Sequence, residues 1–285
     1  MTGQHLPLCQ TIGSVFIGMS FSLLLYGFAC AQVLYYSRAY PQDKRMTKIV
    51  VALLWLLDTS VTAITIKFSW FYLVENHSNQ TALTTIPLLL SAEWATSAVV
   101  VLLVQSFYVY NIWTLLMNTR CRAPFTFTAA LLCLISFASG TALAVVALLH
   151  DQLPALFSVI AVPASMQDIT AAIADIYISV SLIWILHASK TGHGRMDGIL
   201  QRIILYTVNR GLLTIIMQVV LWGTYWGIIG RVDFVWIIPH FMESKVYVNS
   251  MLAVLNVRNH LRGANSLKVF SEFMAEDLLP DSPIT

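Results

Sequence analysis

The chain has 285 residues, of which 58% are hydrophobic and 11% charged, with a formal net charge of +2. An average soluble domain is roughly 25% charged, so this composition excludes a water-covered surface and implies a lipid bilayer as the chief partner. So small a net charge, with no basic run, gives no basis for a nucleic-acid partner.

A transmembrane helix needs about 20 consecutive apolar residues, and the chain offers seven such stretches. They are residues 12–36, 46–73, 86–113, 125–149, 165–188, 199–229 and 233–259. The expected fold class is therefore all-α, one integral membrane bundle of seven transmembrane helices over residues 1–262. The first stretch has no Lys or Arg before it and is too long for the apolar core of a signal peptide, about 7–15 residues, so it reads as a spanning helix. Pro87, Pro124 and Pro163 fall at or just before first turns, where proline is tolerated. Pro239 lies inside the seventh stretch and predicts a kink there. In the fourth, Ser136, Gly140 and Ala144 repeat small residues at the spacing that allows close helix approach.

Orientation follows from basic residues. Arg38, Lys44, Arg45 and Lys48 flank the first connection, Arg120 and Arg122 the third, and Lys190, Arg195 and Arg202 the fifth. Arg258, Arg262 and Lys268 follow the last helix, whereas the alternate connections hold only Arg231. The positive-inside rule then puts the N-terminus outside and the C-terminus in the cytoplasm. Two N-glycosylation sequons, at Asn76 and Asn79, fall in the second connection, on the predicted outer side. Together these imply the secretory route and the plasma membrane.

The tail, residues 263–285, has apolar residues at Leu267, Phe270, Met274 and Leu278 with acids between them. It fits either a short helix on the membrane surface or a disordered acidic segment. The cysteines Cys9, Cys30, Cys121 and Cys133 show no zinc-binding spacing, and only Cys9 sits on the outer side, which argues against a disulfide between loops. Cys121, between Arg120 and Arg122 at a helix end, is a candidate for palmitoylation.

Ionisable residues inside spanning helices are costly and usually face the bundle interior. Asp58, Asp175, Arg210 and Lys245 all lie roughly 16–21 Å from the cytoplasmic helix ends, so they form one mid-membrane layer of two acids and two bases. Lys67, Glu93 and Asp168 form a second, outer layer. On the seventh helix Lys245, Asn249 and Asn256 fall within about 40° of one another, while Glu243 points roughly the opposite way. The expected pairing joins Lys245 or Arg210 to Asp58 or Asp175; the mid-layer, with Asn249, is a candidate binding layer or a set of structural ion pairs. Trp70, Trp94, Trp113 and Trp236 lie near helix ends, as interfacial anchors do.

Four segments carry the most pattern: Leu54–Thr59 (LWLLDT), Val104–Tyr108 (VQSFY), Tyr206–Thr214 (YTVNRGLLT) and Lys245–Ser250 (KVYVNS), the last continuing to Leu255–Arg258 (LNVR). Together they resemble a fungal family of seven-helix membrane proteins classed as a domain of unknown function, over about Ile12 to Arg262. Asp58, Lys245 and Asn249 match the pattern. The family commonly reads Asn-Thr-Gly where this chain has Asn209-Arg210-Gly211. The resemblance implies the fold and no activity.

The favoured functional reading is a divergent receptor or sensor, with a small-molecule ligand from the outer side and a cytoplasmic signalling partner. It is divergent because helix three lacks an Asp/Glu-Arg-Tyr triplet and helix seven an Asn-Pro-x-x-Tyr motif. The alternatives are a proton-coupled transporter or channel using the mid-membrane Asp and Lys residues, and a structural membrane protein. A retinal protein is disfavoured, because position 241, one turn before Lys245, is Phe. An enzyme is not expected: His187, His193 and His240 have no metal-ligand spacing, and no hydrolase motif occurs. No cofactor is implied.

Overall fold

The computed structural model describes residues 8–76, 87–116, 119, 121–149, 153–188, 194–227 and 234–277, and the side chains of residues 11–76, 87–116, 119, 121–149, 159–188, 204–227 and 234–257. Every regular element among them is helical. The helices are α1 (Leu8–Ala39), α2 (Arg45–Trp70), α3 (Leu88–Leu115), α4 (Arg122–Leu149), α5 (Leu153–Ala188), α6 (Gly194–Gly227) and α7 (Ile237–Asp277). Neighbours in sequence pack as neighbours in space, and α7 closes the ring against α1. Two helices sit further in: α3 also touches α5 and α7, and α7 also touches α2.

Six of the helices, α1 to α6, are long and apolar enough to cross a membrane. Their outward faces carry large apolar side chains in the open, among them Phe28, Leu24, Val162 and Val219, each more than half exposed. In water so wide an apolar surface would drive association; in hydrocarbon it is the required solvent match. Exposed hydroxyls support the same reading. Ser20, Ser60, Thr96 and Thr224 each donate to the carbonyl one turn back on their own helix, at 2.8, 3.0, 2.7 and 2.8 Å, as a polar group facing lipid must. The chain is a multi-pass membrane protein.

The seventh helix is the least apolar, yet it is the best covered: no residue from Phe234 to Val257 is exposed. A central helix needs no lipid-facing surface, so it can carry polar groups on two sides. It differs from expectation in two respects. It starts at Ile237, so Pro239 stands in the first turn and produces no mid-span break; its missing N–H has no intrahelical partner to lose there. It runs unbroken to Asp277, past the boundary drawn at Arg262. The side chains beyond Val257, and residues 278–285 altogether, lie outside the described residues.

Pro163 also departs from expectation. It lies inside α5, which begins about three turns earlier, at Leu153. At the far end of α2 the helix widens into a π turn, Phe71–Glu75, closed by the Asn76 backbone N–H donating to the Phe71 carbonyl at 3.1 Å. The turn directs Tyr72 into an aromatic cluster with Phe68 and Phe234, at centroid distances of 5.0 and 5.5 Å.

Close approaches occur where side chains are small. A Cβ on Gly140 would lie 3.1 Å from the Ala98 Cβ on α3 and 3.2 Å from Gln167 on α5, so the small-residue row of α4 is a packing seam as expected. At Gly211 a Cβ would overlap the Ser179 Oγ and lie 3.0 Å from the Ser179 Cβ. Gly211→Val should therefore push α6 off α5 and lower stability by about 1–3 kcal/mol. Unfolding of the purified protein in nanodiscs checks this, with partial recovery expected in the Gly211→Val/Ser179→Gly double variant. An unchanged unfolding midpoint in the single variant would contradict this packing.

Candidate functional site

The mid-bundle charges form two separate ion pairs, both fully buried. The Lys245 ammonium donates to Asp58 Oδ1 at 2.7 Å, to Thr62 Oγ1 at 2.7 Å and to the Asp58 carbonyl at 2.8 Å, joining α7 to α2. The second pair joins α5 to α6, with Arg210 Nη2 donating to Asp175 Oδ1 at 3.0 Å. Asp175 is a hub. Its Oδ2 accepts from the Tyr247 hydroxyl at 2.6 Å and its Oδ1 from Gln105 at 3.3 Å, while Gln218 donates to Tyr247 at 2.6 Å. The Arg210 guanidinium also lies over the Tyr108 ring, 3.9 Å from its centroid, which adds a cation–π attraction.

Helical geometry explains how one helix serves both pairs. Lys245 and Tyr247 are two residues apart, about 200° around α7. One polar face of α7 carries Lys245, Asn249 and Asn256 towards α1 and α2; the other carries His240, Glu243 and Tyr247. On the first face Asn249 joins neither ion pair. Its amide donates to the Leu25 carbonyl at 2.9 Å and accepts from Gln32 at 3.2 Å, and Asn256 donates to the Gln32 carbonyl at 3.0 Å. These bonds tie α7 to the α1 backbone.

The expected outer layer divides. Lys67 lies apart from Glu93 and Asp168: its ammonium pairs with Glu75, two turns on through the π turn, at 2.9 Å, and both side chains are substantially exposed. Glu93 instead meets His240, with Oε2 and Nε2 2.6 Å apart, and accepts from Ser97 at 2.8 Å. His240 stands between two indoles, with ring centroids 6.0 Å from Trp94 and 5.7 Å from Trp236. Trp94 and Trp236 are 4% and 5% exposed, so they are interior walls and not interfacial anchors. Trp70 and Trp113 are exposed, as anchors are.

These two indoles and His240 border a pocket of about 580 Å³ of empty volume, its mouth included. It lies at the end of the bundle where α3, α5 and α7 begin and α4 and α6 end. Tyr225 and Leu221 of α6 form another wall. Asp168 and Glu243 also line it, 8% and 5% exposed. They are electrostatic neighbours, and neither has a hydrogen-bond partner among the described residues.

The charges themselves were legible in the sequence, but the His240 partner of Glu93, the walls of the pocket and the Tyr247–Gln218–Gln105 set around Asp175 were not. Gln105 and Tyr247 stand in the patterned segments, yet only the rotation of three packed helices brings them to one carboxylate. Asn76 uses its side-chain amide nitrogen, the atom a glycan would occupy, to donate to the Phe71 carbonyl at 3.1 Å. Asn79 lies outside the described residues.

With α5 and α7 placed around this pocket, the extent of the family match becomes informative. Residues 171–260 match DUF6534, a family of unknown function. The DUF6534 match takes in Asp175, Arg210, Glu243 and Lys245, and excludes Asp58, Glu93 and the first two of the four patterned segments. It is thus narrower than the resemblance drawn from Ile12 to Arg262. No curated protein and no solved structure matches the chain.

Proposed function

We propose that the protein is a seven-helix membrane receptor or sensor, not an enzyme, that takes a small molecule in the pocket between α3, α5, α6 and α7. All seven helices cross the bilayer, with the N-terminus and the pocket outside and the basic connections facing a cytoplasmic signalling partner. The plasma membrane is the corresponding location. The observation that carries this reading is the closure of the bundle beneath the pocket. Glu243 lines the cavity, and one turn deeper on the same face of α7 Tyr247 is bonded to Asp175, which is paired with Arg210. A ligand would meet a closed floor attached to α7, an arrangement suited to reading occupancy and not to passing solute.

Two measurements test the reading together. Proton and solute flux in vesicles is expected to be absent from wild type and from Lys245→Met alike; flux in wild type that the variant loses would make the protein a carrier or channel. In a small-molecule stabilisation screen in nanodiscs, hits on wild type should be lost in Ala164→Phe, which fills the pocket from α5. Hits that persist unchanged in Ala164→Phe would remove the pocket from the mechanism.

A further inference from the structure

We infer that the pocket selects a small organic cation, a protonated amine carried on an apolar or aromatic body; this rests on the pocket being the ligand site. The inference stands on two independent features of the cavity. The first is a pair of carboxylates, Asp168 on α5 and Glu243 on α7, more than nine-tenths buried and without hydrogen-bond partners among the described residues. The second is the aromatic wall of Trp94, Trp236 and Tyr225 around them.

Elsewhere in the bundle each buried acid has a committed partner: Asp58 has Lys245, Asp175 has Arg210 and Glu93 has His240. Isolated buried carboxylates are costly unless they hold a proton or meet a cation. Asp168 and Glu243 are the two acids whose surroundings leave space for a cation to arrive from outside. Among the described residues no Lys or Arg lines this cavity, and the one basic side chain there, His240, is already engaged by Glu93. An anionic ligand would meet two carboxyl groups that can carry only a like charge. A neutral one would leave both carboxylates as they are. An ammonium group gains a charge-assisted hydrogen bond from either acid, and its body gains contact, with cation–π attraction, from the indole and phenol rings. Ser97 and Gln167 supply further polar groups on the α3 and α5 sides.

The test uses three probes of one shape on the full-length protein in nanodiscs: 2-phenylethylamine, 2-phenylethanol and 3-phenylpropanoate. Titration calorimetry and the unfolding midpoint read binding. The amine is expected to bind and raise the midpoint, with the alcohol weaker by about tenfold or more and the carboxylate inert. Asp168→Asn and Glu243→Gln should each weaken the amine by about tenfold more than the alcohol, which separates lost charge from lost folding. Equal affinity for amine and alcohol in wild type would overturn the cation inference and leave the pocket intact as a ligand site. Failure of the amine to bind overturns it too; the pocket reading then survives only if another probe binds wild type and not Ala164→Phe.

Discussion

Lys245→Met is expected to lower the unfolding free energy by about 3–5 kcal/mol, the usual cost of removing one partner of a buried ion pair. The Asp58 carboxylate would keep no cation, in a site where both side chains have zero exposure. Its Oδ2 has no partner among the described residues even in the wild type. Asp58→Ala should cost less. The ammonium would keep two of its three acceptors, Thr62 Oγ1 and the backbone carbonyl of residue 58. Replacing both together, as Lys245→Met/Asp58→Leu, should recover much of the loss, because an apolar pair of similar volume carries no desolvation cost. Unfolding in mixed micelles with increasing dodecyl sulfate measures all three. Losses that simply add would show that the two residues are not energetically coupled.

The second large effect concerns the hub on α5, where the two partners should behave unequally. Asp175→Ala would strip Arg210 of the one anion it meets among the described residues. The guanidinium would retain the Tyr108 ring, but its Nε and Nη1 are already buried without hydrogen-bond partners among the described residues. A loss of about 3–5 kcal/mol is expected. Arg210→Thr places at this position the residue that the resembling family commonly has. Asp175 would still accept from Tyr247 at 2.6 Å and from Gln105 at 3.3 Å, so the loss should be clearly smaller. The same unfolding assay decides; an Arg210→Thr variant as unstable as Asp175→Ala would show that the Tyr247 and Gln105 bonds do not hold the carboxylate alone.

Reading pairs from the sequence reached a definite limit. Periodicity placed Asp58, Asp175, Arg210 and Lys245 in one layer, which narrowed the partners to two acids and two bases. It left open which acid meets which base, because that depends on the order of the helices around the ring and the rotation of each about its axis. Neighbouring helices set both through contacts such as Gly211 against Ser179 and Gly18 against the Ile238 backbone. Lys67 shows a related limit. Its depth suggested company with Glu93 and Asp168, but a π turn carries Glu75 back beneath it, and five residues of altered winding leave little trace in composition.

The tryptophans and prolines misled for a different reason: position along a helix does not report direction. Trp94 and Trp236 sit near helix ends, as anchors do, yet face inward against His240. Pro239 seemed internal because the apolar run begins before the helix does, while Pro163 seemed initial because α5 is longer than its predicted span.

By itself the sequence determined that this is a membrane protein of several helices, because hydrocarbon admits backbone only when its hydrogen bonds close within a segment, and that requirement acts on each stretch alone. It also determined how many charges must be hidden. Only the tertiary structure decided where they went. The least apolar helix became the central one, its two polar faces divided between the α1–α2 side and the pocket side. Two buried carboxylates remained without partners among the described residues where α3, α5, α6 and α7 stand apart. Such choices follow from packing among all the helices at once, and no single segment encodes them.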